Sequence, residues 1–111
     1  MLSFPDTVLK ALADPTRRML FERLARGGEQ TVWMLTERSG VSQPAVSKHL
    51  RQLKKAGLVE SRKRGREARY SIAPRGLDPL VDWIGHYSSF WREKFEALED
   101  LHVAGASDGN S

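Results

Sequence analysis

The stretch SGVSQPAVSKHLRQLKKAGLVESRKRGREARYSI, residues 39–72, reads as a tight turn, a basic amphipathic helix and a strongly basic hairpin. Ser42 is placed to cap the helix. Successive residues set about 100° apart put Val46, Leu50 and Leu53 on one side. Pro44, Lys48, Arg51 and Lys55 fall opposite, flanked by Ser47 and Gln52, and Gln43 lies in the exposed first turn. Residues 58–63 and 68–72 have strand-like composition, with Ala68, Tyr70 and Ile72 alternating onto one face. Arg64-Gly65-Arg66 forms the tip between them, where glycine can supply a positive φ.

A basic helix on its own is usually a solvated face, and the hairpin is what changes that reading. Arg62, Lys63, Arg64, Arg66 and Arg69 crowd into it, and a two-stranded hairpin needs helices to pack on. Residues 42–75 hold ten Lys/Arg against Glu60 and Glu67, a local net charge of +8. The rest of the chain, with eight basic and twelve acidic residues, sums to −4. Charge segregated in this way suits one surface to a polyanion, because neutralising phosphates releases condensed counterions.

Working outward, Leu2, Phe4, Val8, Leu9 and Leu12 recur at helical spacing in a first helix that stops at Ala13. Asp14-Pro15 is a start signal for a second helix, with Met19, Leu20 and Leu24 inward and Gly27-Gly28 at its end. Arg17, Arg18, Arg23 and Arg26 on its other sides read as a solvated face, with a phosphate contact by Arg17 or Arg18 as the alternative. Thr31 can cap a third helix with Val32 and Leu35 in the core, and Gly40 sits where a left-handed turn is wanted. Helix, short glycine-containing turn and basic helix make a helix-turn-helix, whose second helix enters the major groove. With the hairpin, the expected fold is mainly α with a small β-hairpin, a winged helix-turn-helix, and the expected partner is double-stranded DNA.

Asp78-Pro79 starts the last helix by the same cap logic as Asp14-Pro15. Leu80, Ile84, Tyr87, Trp91, Leu98 and Leu101 form one stripe, which Trp83, Phe90 and Phe95 widen into an arc too broad for one small domain to cover. A homodimer follows as the expectation, with Leu2 and Phe4 of the first helix and Leu80, Trp83, Ile84, Tyr87, Phe90 and Trp91 of the last at its interface. Residues 1–103 are read as a single domain with terminal dimerisation helices, and residues 104–111 as a disordered polar tail.

The runs SQPAVSKHLRQLKKAGLV and ALADPTRRMLFERL, with the basic wing ending in RYSI, resemble the ArsR/SmtB family of bacterial winged-helix repressors over residues 9–101. The resemblance implies a homodimer that sits on an imperfect inverted repeat overlapping a promoter and blocks transcription, often of its own operon. It places Gln43, Ser47, Lys48, His49 and Arg51 in the recognition helix and makes residues 62–69 the wing. Metal-sensing members carry two cysteines where Thr31 and Trp33 stand here. A second family site pairs Asp with His two residues later, and here Asp82 is followed at that spacing by Ile84. His86 shares a helix face with Asp82, but two ligands do not make a zinc site. The chain therefore resembles the subgroup without metal cysteines, with no metal or other cofactor expected. A repressor released by a small molecule, or by metal on the last helix, is the alternative, and the sequence names no effector.

With no Cys there is no disulfide framework or thiolate site, and a reducing cytoplasm is the expected location. The N-terminus lacks a basic n-region and a long apolar segment, so a soluble, untargeted chain away from membranes is expected. No GxSxG, glycine-rich phosphate loop or HExxH appears, so no enzyme is expected. A winged-helix module for protein interaction, working through the aromatic last helix, is the other non-catalytic reading. The charge segregation argues against it.

Overall fold

Three short polar side chains start three helices. In the computed structural model, which describes residues 5–106 and their side chains through residue 100, α1 spans Asp6–Ala13 and α2 Pro15–Gly27. Asp14 caps α2 by accepting the Arg17 backbone N–H at 2.9 Å. Next come the two-residue strand β1, Gln30–Thr31, and α3, Val32–Thr36. Thr31 caps α3 by accepting the Met34 N–H at 3.2 Å. Ser42 caps α4, Gln43–Lys55, by accepting the Ala45 N–H at 3.3 Å. Each such cap satisfies an otherwise orphan donor and contributes about 1 kcal/mol. The turn before α4 holds Gly40 at φ 78° and Arg38 at φ 60°.

β2, Val59–Arg64, and β3, Glu67–Ile72, form the hairpin, and α5, Asp78–Ala106, ends the described chain. Arg64 pairs with Glu67 across a two-residue loop in which Gly65 alone has positive φ, 67°, the requirement of a type II′ turn. The expected two-stranded wing is the outer part of a three-stranded antiparallel sheet, ordered β1-β3-β2. β1 adds the pairs Gln30 with Tyr70 and Thr31 with Arg69, so the cap of α3 is also a rung of the sheet. Two residues are too few to carry an alternation that sequence could reveal.

Leu20, Leu24, Leu35, Val46, Leu50, Leu53 and Leu58 are fully buried in one cluster that Tyr70 closes from the sheet. In α1, Val8 and Ala11 enter this core and Leu9 is exposed, which corrects the expected face. Leu2 and Phe4 lie outside the described residues. The reading of α2's arginines as a solvated face is corrected for Arg17 and Arg23, which are half-buried, while Arg18 stays exposed and still finds a backbone partner. Arg17 donates to the carbonyls of Ala11 and Lys10 at 2.8 and 3.2 Å, and Arg18 to that of Leu12 at 2.9 Å, closing the C-terminus of α1. Arg23 donates to the carbonyls of Leu35, Met34 and Glu37 at 2.7–2.8 Å, closing that of α3. Cations at helix C-termini also meet the negative end of the helix dipole.

α5 departs from its expected start. Its first intrahelical bond runs from the Val81 N–H to the Leu77 carbonyl, so Leu77 holds the cap position. The Asp78 carboxylate instead accepts from Arg75 Nε at 2.9 Å. Leu77 and Leu80 pack against the core, and beyond them Val81, Ile84, Tyr87, Phe90, Trp91, Phe95 and Leu98 are exposed. The Cα radius of gyration is 19.9 Å, against roughly 13 Å for a compact chain of this length. α5 continues to Ala106, while the side chain of Leu101 and residues 107–111 lie outside what is described.

Arg23→Ala should destabilise the chain by about 2 kcal/mol in urea titration, since three carbonyls lose a charged donor. Arg26→Ala, at an exposed arginine of the same helix, should stay within about 0.5 kcal/mol. Equal losses would contradict the helix-closing role of Arg23.

Candidate nucleic-acid interface

Because Val46, Leu50 and Leu53 are held in the core, α4 has one orientation open to it. Pro44, Lys48, Arg51, Gln52 and Lys55 are exposed on its outer face, with Gln43 and Ser47 half-buried at its edges. His49 is turned inward: its side chain is 21% exposed and Nδ1 lies 3.8 Å from Asp14 Oδ2. That nitrogen is buried and has no hydrogen-bond partner among the described residues. The Arg17 backbone N–H holds the Asp14 carboxyl below the usual carboxylate range, and the charges of His49 and Arg17 add to this against the opposing effect of burial. His49 thus lies beside the cap of α2, away from the outer face of α4.

The hairpin emerges from the C-terminal end of α4. Lys54 Nζ donates to Ser61 Oγ at 2.7 Å, fastening the helix to β2. Register sets Arg62 directly opposite Arg69, a like-charge pair that would destabilise the sheet if left alone. Glu29, just before β1, answers it. Arg62 Nε and Nη2 donate to the two Glu29 carboxylate oxygens at 2.8 and 3.1 Å. This bond from Arg62 is the main reason the Glu29 carboxyl titrates below its ordinary value, with further help from the charges of Arg62, Arg69 and Arg64. Arg69 is drawn in, its Nη2 3.7 Å from Glu67 and its Nε buried without a hydrogen-bond partner among the described residues. Lys63, Arg64 and Arg66 are exposed toward the tip.

The wing residues therefore divide. Lys63, Arg64 and Arg66 are open to a ligand, whereas Arg62 and Arg69 are held at the base by carboxylates. Sequence reasoning missed Glu29, which lies 33 residues from its partner with no local pattern to mark it. On α5, Ile84, Tyr87, Phe90 and Trp91 are exposed, Trp83 is half-buried, and Leu80 lies against the core of its own chain. Asp82 and His86 are both exposed, and the His86 ring stands edge-on to Tyr87 at 4.8 Å. No helix among the described residues is long and apolar enough to cross a membrane.

Glu29→Gln at neutral pH should raise the salt needed to elute the chain from heparin, because the released Arg62 can meet sulfates. Glu22→Gln on α2 makes the same change in net charge away from the wing and should move elution less. Equal shifts would show that Glu29 does not sequester Arg62.

Residues 12–62 match the family model of a helix-turn-helix domain. The chain is 33% identical over 79 residues to the transcriptional repressor SdpR of Bacillus subtilis, a match covering 71% of this chain and 87% of that protein. It is 41% identical over 90 residues to the arsenic resistance transcriptional regulator ArsR1 of Pseudomonas putida, covering 78% and 70%. Among solved structures, it is similar to a homodimeric winged helix-turn-helix DNA-binding domain from Mycobacterium bovis, a possible ArsR-family regulator. The TM-score is 0.61 at 31% identity, over 76% of this chain and 77% of that one. With these likenesses and a winged helix-turn-helix of the expected form, the chain belongs to the ArsR/SmtB family of transcriptional regulators.

Proposed function

We propose that this chain is a homodimeric transcriptional repressor that reads an inverted-repeat operator in duplex DNA and does so without sensing a metal. The observation that carries the reading is the outward basic face of α4 continuing into an exposed cationic wing tip. Gln43, Ser47 and Lys48 lie in the N-terminal half of α4, which meets base edges when such a helix enters the major groove, and Arg51 follows on the same outer face. Lys55, Lys63, Arg64 and Arg66 supply sequence-independent phosphate contacts. His49 and Arg69 are half-buried beside this surface, and Arg62 is exposed but engaged by Glu29. The matched relatives are regulators, which supports a non-enzymatic role.

The exposed aromatic length of α5 supports pairing with a second copy, because an apolar arc of this extent is uncommon on a monomer. A two-fold axis would set two recognition helices about 34 Å apart, one turn of duplex. The family's thiolate positions do not suit a metal in this chain: the Thr31 hydroxyl is engaged as the cap of α3, and Trp33 offers an indole that cannot ligate. The arsenic-related name of one relative is a property of that relative.

Against an operator selected from random duplexes by the chain itself, Arg51→Ala should cost about 1–3 kcal/mol and relax preference at particular positions. Arg64→Ala and Arg66→Ala should weaken binding to all sequences and flatten the salt slope by about one unit each. Equal losses for Arg51→Ala on operator and random DNA would contradict the assignment of readout to α4.

Tag-free protein should carry little metal by elemental analysis, and operator affinity should hold within twofold in EDTA or micromolar zinc. Stoichiometric zinc with a tenfold change in affinity, about 1.4 kcal/mol, would contradict the metal-free reading.

A further inference from the structure

Trp33 is 63% exposed, although it sits on a helix whose neighbouring residues are anchored. Thr31 caps the first turn, Val32 packs against the core and Leu35 is fully buried. Two residues from Leu35, Trp33 faces the opposite way from the core. Its indole makes no ring contact or hydrogen bond among the described residues. Its surroundings differ from those of the exposed aromatics on α5. Trp33 lines one small cleft with Gln43, from the first turn of α4, and Arg66, from the wing tip. The single carboxylate in that lining, Glu67, is paired with Arg69. The cleft, of about 160 Å³, is smaller than the roughly 300–1,000 Å³ of small-molecule sites. It lies where the reading helix and the wing meet.

We propose that Trp33 is a contact to the DNA backbone, its ring packed on a deoxyribose and its indole N–H donated to an adjacent phosphate. The inference rests on the DNA-binding reading above and extends the interface to α3. Charge selects this occupant. Arg66 lines the cleft, and Arg64 and Lys63 stand exposed on the same wing tip outside it; a sugar–phosphate chain offers both an apolar face and acceptor oxygens. An indole is built for such a boundary, with an apolar body and one donor at its edge. The contact carries no charge and reads no base, so it has a signature that differs from both the α4 and the wing residues.

Trp33→Ala should weaken binding to operator and random duplex alike by about three- to tenfold. It should leave the slope of log affinity against log salt unchanged, whereas Arg66→Ala flattens that slope. Trp33→Phe, which keeps a ring and loses the donor, should fall between the natural chain and Trp33→Ala. A second measurement depends on no loss of affinity. Duplex DNA should protect the natural chain's tryptophan fluorescence from acrylamide, and that protection should vanish in Trp33→Phe, whose remaining tryptophans lie on α5. If the natural chain binds duplex while Trp33→Ala binds as tightly, or if Trp33→Phe is protected to the same degree, the inference is overturned. A natural chain with no affinity for duplex would overturn the functional reading, and this inference with it.

Discussion

The fold hangs on the burial of Leu50 and Leu53 among Leu20, Leu24, Leu35 and Leu58, one cluster that α2, α3, α4 and the start of the hairpin share. Fully burying a leucine contributes about 1.5–3 kcal/mol, and turning α4 by one residue would exchange these side chains for cations. The helix consequently has one rotational setting, and its basic face points outward. The same cluster reaches Leu58 and Val59, so the wing leaves the body at an angle set by the core. Lys54 to Ser61 and Glu29 to Arg62 then brace it. A cationic surface formed in this way is organised before any polyanion arrives.

Features written within a few residues of one another were legible in the sequence. The caps at Asp14, Thr31 and Ser42, the inward triplet of α4, the alternation toward Tyr70 and the glycine at the wing tip are each local patterns with a local cause. What escaped depends on distant partners. Arg17, Arg18 and Arg23 show the spacing of an exposed face, yet their reach lets them close helices earlier or later in the chain. Glu29 and β1 become visible only when the hairpin is folded against them. Asp78 repeats the Asp-Pro pattern of Asp14, but Arg75, three residues back, takes its carboxylate. On α1 the core side is the one that carries Val8 and Ala11, three residues apart, which leaves the larger Leu9 exposed. The resemblance to the repressor family supplied the outline of the site, and the structure separates its open cations from its braced ones.

α5 carries the remaining constraint. Ile84, Tyr87, Phe90, Trp91, Phe95 and Leu98 are exposed along the helix beyond Leu80. In the proposed dimer those residues meet their copies, and the two-fold axis converts one short reading helix into two at a fixed spacing. Affinity for a palindromic site then comes from geometry as much as from any side chain. Sedimentation velocity at micromolar chain, alone and with a duplex bearing the selected site, tests this most directly. The account predicts a dimer before DNA is added and two chains on each duplex. A monomer that occupies the site singly with undiminished affinity would contradict it.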